Sequence, residues 1–189
     1  MLTMLAAIMR SINAINKAIG NTFAWLSLAI VLVCFAVVVE RYLFSTTRLW
    51  MQDLYVWLNG VMFTAVAGFA LFREDHVRVD IFYRPASPTK KAIADLVGVC
   101  VFLFPFMFAI YYIGLPYVQR SWRLMENSAN VGGMPGLYVL KTFILVFVVL
   151  VALQGFAMAI RSILMLAKRE DLIPQDFRYP TIAQATGKE

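Results

Sequence analysis

A single histidine, His76, and two cysteines, Cys34 and Cys100, are all that 189 residues offer of the side chains that most often bind haem or transition metals. One histidine per chain excludes a bis-histidine haem site and a multi-histidine metal centre within one copy. The cysteines form no Cys-x-x-Cys pair, and each falls inside an uncharged apolar run. They read as buried thiols, not as a disulfide framework. No Gly-rich phosphate loop and no G-x-S-x-G motif is present, so the chain reads as a non-enzyme that holds no cofactor and no metal. Charge is scarce as well: Asp, Glu, Lys and Arg make up 15% of the residues against 61% hydrophobic. With a mean hydropathy of +0.74, water is not the main solvent of this chain.

What is abundant is long apolar sequence. Residues 22–39, 54–72, 96–119 and 142–160 contain no charged side chain. A bilayer core about 30 Å thick is crossed by about 20 helical residues at about 1.5 Å each. Four such runs leave too little polar sequence to cover a soluble core. Val, Ile and Phe are common in them, but barrel strands are about 10 alternating residues long, and these runs are continuous and roughly twice that. Without water to satisfy the backbone, helix is the remaining solution. The fold class is therefore an all-α integral membrane protein with four transmembrane helices.

Ahead of the first run, Leu5, Ile8, Ile12, Ile15 and Ile19 recur at helical spacing, with Arg10, Asn13 and Lys17 off that face. The pattern predicts an amphipathic interfacial helix over 1–20, retained in the mature chain because no small-residue cleavage site precedes a soluble domain. The four-helix domain then occupies 21–169, and a short, loose cytoplasmic tail occupies 170–189, too small and polar to fold alone. The net charge of +6 does not indicate nucleic-acid binding, because the basic residues flank the apolar runs. Arg10, Lys17, Arg73, Arg78, Arg84, Lys90, Lys91, Lys168 and Arg169 fall on one side, against Arg41, Arg48, Arg120, Arg123 and Lys141 on the other. The positive-inside rule places both termini and the 73–91 loop in the cytoplasm, an N-in/C-in topology with 40–49 and 120–138 outside.

Within the second run, Trp50, Asp53, Trp57, Gly60, Thr64 and Gly68 follow at steps of three or four and form one seam. Gly60, Thr64 and Gly68 are small enough for close helix approach, either among the four helices or against another subunit. Asn59 and Gln154 are candidates for interhelical hydrogen bonds of about 0.6 kcal/mol each. Asp53 opens the second run at the level where Lys141 enters the fourth. The two read either as a salt bridge, worth about 0–1 kcal/mol where water reaches it, or as two solvated end charges. A proton relay is disfavoured, since both lie near the surface and not at the midplane. Pro105 predicts a kink in the third run. The stretch from Glu126 to Gly136 is turn-rich.

Several short elements occur together in order: Trp50-Met51-Gln52-Asp53; Arg73 through Asp80, containing His76 and Val79; Glu126-Asn127-Ser128; Gly132-Gly133-Met134-Pro135; and Lys141 opening the last run. This arrangement resembles the small membrane subunit (DctQ-like) of tripartite ATP-independent periplasmic (TRAP) transporters, with many members holding Glu where Asp53 stands. The resemblance implies a multi-pass protein of the bacterial inner membrane, working with a large TRAP membrane subunit that carries sodium and substrate sites and with a periplasmic substrate-binding protein. It implies symport of organic acids by the whole complex, with this chain as a scaffold among membrane lipids. Trp57, Gly60, Thr64 and Gly68 would then serve helix packing or the large-subunit interface. Arg48, Trp50, Asp53, Arg123, Asn127, Ser128 and Lys141 would belong near the periplasmic docking face, and His76, Val79 and Asp80 to a cytoplasmic loop motif. A self-contained homodimeric transporter or channel is the alternative, and predicts an ionisable group deep in a span. A membrane anchor of a respiratory enzyme predicts haem ligation, which one histidine does not supply.

Overall fold

The computed structural model describes residues 2–74 and 86–179. Its elements are α1 (Leu2–Ala24), α2 (Leu26–Leu43), α3 (Leu49–Phe72), α4 (Pro88–Val97), a π-helical turn (Gly98–Leu103), α5 (Phe104–Arg123) and α6 (Leu137–Leu166), then two 3-10 turns, Glu170–Leu172 and Gln175–Phe177. No strand occurs among the described residues. Four helical stretches are long and apolar enough to cross a membrane: Leu2–Leu43, Leu49–Phe72, Pro88–Arg123 and Leu137–Leu166. Each outruns the uncharged segment that announced it, because a helix does not stop at its first charge. Glu40 and Arg41 lie in α2, Asp53 in α3, and Lys141 and Arg161 in α6.

Cα packing divides the chain into two compact units. One comprises Met1–Lys17, Gly68–Phe108 and Val151–Glu189, and the other Ala18–Ala67 and Ala109–Leu150. In the first unit, Met9, Phe72, Ala92, Val99, Met158 and Leu164 are buried together with Ile173 and Phe177. The second has a thinner core, with Ala65, Val118, Val148 and Leu150 its buried apolar side chains. α2 buries none of its residues. Of the four apolar stretches, that of α6 is the most enclosed, 44% buried against none in the first.

α1 is helical as its periodicity requires, but the face it packs inward is not the isoleucine stripe. Ala6, Met9, Ile12, Asn13 and Asn16 are buried, while Ile8 and Ile15 are exposed along with Arg10 and Lys17. The reason is polar pairing: the Asn16 amide donates to Gln154 Oε1 at 2.8 Å, and Gln154 Nε2 donates to Asn13 Oδ1 at 3.1 Å. Amides that cannot meet water find one another, and the apolar side chains turn outward. Gln154 makes the interhelical bonds expected of it, whereas Asn59 is exposed. α1 and α2 part at Trp25, four residues beyond the anticipated boundary and immediately before Ser27, whose hydroxyl donates to Ala24 O at 2.8 Å.

α4 begins at Ser87, whose hydroxyl accepts Lys90 N at 3.5 Å, with Pro88 in the first turn where no N–H is needed. The distortion attributed to Pro105 appears just before it. Pro105 has no N–H for the carbonyl of Val101, and its ring crowds that carbonyl. The helix widens over Gly98–Leu103, and Phe104 N reaches back five residues to Val99 O. Such π-turns relieve the clash by inserting one residue into the ladder. Gly155 of α6 lies against this turn: a Cβ there would stand 2.7 Å from Leu103 Cδ2 and 3.3 Å from Phe104 Cε1.

The segment after α6, expected to be loose from residue 170, packs for its first ten residues, and Ile173, Phe177 and Tyr179 are buried. Its short aromatic content suffices because it closes on an existing surface and needs no core of its own. Residues 180–189 lie outside the described residues, as do His76, Val79 and Asp80.

Gly155→Val should lower the thermal unfolding midpoint in detergent, with overpacking of about 1–3 kcal/mol. Gly114→Ala, whose Cβ would meet Ile144 Cγ2 at an ordinary 3.4 Å, should leave the midpoint within about one degree of wild type or raise it. Equal losses for the two variants would contradict the assignment of Gly155 to the close contact.

Candidate functional site

Two polar constellations stand out, one in each unit. The first is built on the loop between α5 and α6. α5 ends in a left-handed residue, Met125 at φ 44, which lets Glu126 N reach Ser121 O at 3.1 Å. This six-residue closure normally favours glycine. Gly132 and Gly136, at φ +80 and +94, supply the other left-handed positions. Ser128 N donates to Met134 O at 3.1 Å, Gly133 N to Asn130 O at 2.9 Å, and Gly136 N to Asn127 Oδ1 at 3.1 Å.

The loop is fastened to α3 by Asp53, which is buried. One carboxylate oxygen accepts Asn130 Nδ2 at 2.8 Å and the other Met134 N at 3.0 Å, and the Ser128 hydroxyl donates to the same group. Gly133 lies so close that a Cβ would overlap Asp53 Oδ2 and sit 2.7–2.8 Å from Ser128 Oγ and Cβ. The Gly-Gly-Met-Pro sequence is therefore the complement of a carboxylate one helix away.

Asp53 and Lys141 do not pair with each other. Lys141 Nζ lies 2.5 Å from Glu126 Oε2 and 4.2 Å from the Tyr117 ring centroid, so its ammonium is used within the loop's own base. Glu126 also accepts from Ser121 Oγ at 2.7 Å. The Lys141 ammonium first, then the Ser121 hydroxyl, hold the Glu126 carboxyl below its ordinary 4.5, against the opposing effect of desolvation. Beside them Trp122 donates to Thr142 Oγ1 at 2.9 Å and packs on Tyr138 with ring centroids 4.6 Å apart.

The residues anticipated for a docking face thus divide. Asp53, Asn127, Ser128 and Lys141 each make a hydrogen bond or ion pair that shapes the loop, Asn127 from an exposed position, whereas Arg48, Trp50 and Arg123 are exposed without shaping it. Arg48 Nε stands 3.4 Å from Glu40 Oε1. Val131, at the tip, is 93% exposed. In the α3 seam, Trp57 and Thr64 are half-buried and Gly68 is buried. Gly60 packs within the chain, a Cβ there lying 3.2 Å from Leu140 Cδ1, and the Thr64 hydroxyl turns back to Gly60 O at 2.8 Å.

The second constellation was not anticipated. Arg161, on α6, is 1% exposed. Nη1 lies 2.5 Å from Glu74 Oε1 and Nη2 2.6 Å from Asp95 Oδ2, while Phe177 O accepts from Nη1 at 3.4 Å. The guanidinium carbon stands 4.4 Å from the Phe177 ring centroid and 4.1 Å from that of Tyr179. The Tyr179 hydroxyl is 2.9 Å from Ser162 Oγ, and burial pushes this phenol up to about 12. Glu74, just past α3, adopts φ 60, which turns its side chain onto α6. Removing one member of such a buried pair costs about 3–5 kcal/mol, because the remaining charge is left uncompensated. Arg161 escaped notice because it follows the uncharged run 142–160 directly and resembles an end charge. The signal was the apolar sequence Ile163-Leu164-Met165-Leu166 beyond it, which continues the helix past the arginine.

Among the described residues no group of His, Cys, Asp and Glu is arranged to hold a metal ion. What the geometry offers is structure: a braced loop on one unit and a buried, paired charge cluster on the other, in a chain whose helices define a multi-pass membrane protein. The family model for "Tripartite ATP-independent periplasmic transporters, DctQ component" matches residues 30–168. The chain belongs to that family of transporter components, which work with other subunits. No curated protein and no solved structure matches it.

Asp53→Asn turns an amide N–H toward Asn130 or Met134 and leaves donors unmatched, costing about 1–3 kcal/mol. It should make the 124–136 loop a site of rapid proteolysis while α6 stays protected. Gly133→Ala should do the same, since its Cβ would overlap the Asp53 carboxylate and crowd Ser128 Cβ at 2.8 Å, and a loop as resistant as wild type in both variants would refute the anchor. A carboxyl held low in the folded loop stabilises it above pH 4.5, and that contribution is lost as pH falls through the lowered value. The Trp122 fluorescence, taken as wild type minus Trp122→Phe, should therefore hold steady from pH 7 to about 5 and change below the ordinary carboxylate range. In Glu126→Gln the acid change should be smaller, what remains belonging to the Asp53 anchor of the same loop.

Proposed function

We propose that this chain is the small scaffold subunit of a TRAP-type secondary transporter, stabilising the large membrane subunit and helping to dock the periplasmic substrate-binding protein for sodium-coupled organic-acid uptake. The observation that carries this reading is α2. It is apolar through Val39, and it buries no side chain against its own chain. Phe35, Val31 and Leu32 remain more than half exposed. Such a helix needs a cover, and the large subunit together with lipid supplies one.

In this reading the protein is a multi-pass component of the bacterial inner membrane with both termini in the cytoplasm, so that the loop fastened by Asp53 faces the periplasm. A docking surface must keep its shape while a soluble partner comes and goes. Hydrogen bonds from two turns to one carboxylate favour such rigidity. Exposed Arg48, Trp50 and Arg123, with Val131 at the loop tip, supply contact groups for the binding protein. α1 lies in the cytoplasmic interface with Ile8 and Ile15 toward lipid, fastened by Asn13 and Asn16. Sodium and solute are handled by the large subunit, and no catalysis is assigned to this chain.

Purification of the tagged chain from its native host in mild detergent should recover a large polytopic membrane protein, and liposomes holding this chain alone should show no solute flux. Recovery of the chain only, with flux in liposomes, would overturn the scaffold reading in favour of a self-contained transporter. In the reconstituted complex, Arg48→Glu with Arg123→Glu should weaken capture of the binding protein by about tenfold or more without loss of the large subunit. Unchanged capture would remove these arginines from the docking face.

A further inference from the structure

The family match ends at residue 168, yet the ten residues that follow α6 are folded onto the bundle. They touch three elements. Phe177 stacks on Phe72 at the end of α3, ring centroids 5.3 Å apart. Phe177 and Tyr179 lie over the guanidinium of Arg161 on α6, and Tyr179 meets Ser162. Asp176 lies 3.5 Å from Lys17 on α1. The segment keeps its own shape through two 3-10 turns and a bond from Arg178 Nε to Ile173 O at 2.9 Å. Its anchors, Ile173 and Phe177, are each 2% exposed.

We infer that residues 170–179 form a clasp that closes over Arg161, and that this closure encloses the Glu74–Arg161–Asp95 charge cluster. The carboxylates, one just past α3 and one on α4, satisfy the two terminal nitrogens, but a guanidinium also has two flat faces, and these are best covered by rings. Both rings come from the clasp. With the clasp open, one cation and two carboxylates are left facing whatever fills the space, and water or lipid headgroups replace the aromatic cover. The contacts holding it are one ring stacking on Phe72, two rings on the guanidinium, a bond from Arg161 Nη1 to Phe177 O, one hydroxyl bond, the burial of Ile173 and Phe177, and an exposed ion pair worth about 0–1 kcal/mol, contacts that can be lost locally while the helices stay folded. Because Lys17 joins the clasp to α1, opening also frees one of the attachments of that helix. α1 and the clasp both lie outside residues 30–168, so the device is an addition to the part of the chain that the family model describes.

The test is thiol accessibility in the full chain. With Cys34→Ser and Cys100→Ser as background, Ser162→Cys places one thiol beneath Tyr179, and a quaternary-ammonium methanethiosulfonate reports its exposure in detergent. The intact chain should react about tenfold or more slowly than a Phe177→Ala/Tyr179→Ala variant and than a chain ending at residue 169. Equal rates in all three would overturn the closure. To separate opening from loss of fold, the charges are removed together by Glu74→Gln, Asp95→Asn and Arg161→Met. In that neutral background Phe177→Ala/Tyr179→Ala should lower the unfolding midpoint by less than half of what it does in wild type, since there is no longer a cation to cover. The same fall in both backgrounds would show ordinary packing and refute the link between clasp and charge.

Discussion

An arginine that keeps its charge inside an apolar bundle must draw anions from the elements that crowd it, and Arg161 takes Glu74 from the end of α3 and Asp95 from α4. The organisation of its unit follows from that requirement. α3 stops with Glu74 in a left-handed conformation because its carboxylate is wanted on α6. α4 presents Asp95 inward among buried neighbours that include Ala92. Phe177 is held where one ring serves both as cover for the guanidinium and as partner of Phe72. Replacing the cluster with apolar side chains of similar volume would cost little in energy, since desolvation offsets most of the Coulombic gain. What charge pairing adds is a constraint on placement: the elements must meet where Glu74 and Asp95 both reach Arg161.

The other unit uses the reverse economy, a carboxylate whose partners are mostly backbone and small polar groups. Asp53 takes an amide, a hydroxyl and a main-chain N–H from a single loop, and the loop in turn dispenses with a side chain at Gly133 so that the approach is possible. Glu126 and Lys141 close the base of the same loop with full charges. A loop braced at its root and its middle leaves its tip, Val131, as the most exposed large apolar side chain of the chain's described residues. In the proposed function, rigidity beneath and apolar surface above would serve a reversible contact with the soluble binding protein.

The four spans were legible because hydropathy over about 20 residues integrates many small terms, and no local detail can cancel them. Gln154 was legible too, since an amide between two apolar turns has few alternatives to an interhelical partner. The partner of Asp53 was not. Opposite charges at similar depth suggested Lys141, but pairing is decided by side-chain reach and by loop conformation, and Glu126 is closer. Arg161 was lost to the convention that a charge ends a span. The isoleucines of α1 misled for a related reason: in a bilayer the apolar face of a helix seeks lipid, so the face toward the protein is the one with small and amide residues. The packing of Phe177 and Tyr179 could not be read from a tail so short and polar, because what orders it is a cation on another element.

α6 carries three polar grips on segments that precede it. Lys141 holds the α5–α6 loop through Glu126, Gln154 holds α1, and Arg161 holds the end of α3 together with α4. It is also the last α-helix in chain order among the described residues. During synthesis, therefore, the amides of α1 and the carboxylates Glu74, Asp95 and Glu126 emerge before their α6 partners exist. A nascent chain halted before residue 137 carries each of these groups without its α6 mate, and only the last helix brings the three grips into being.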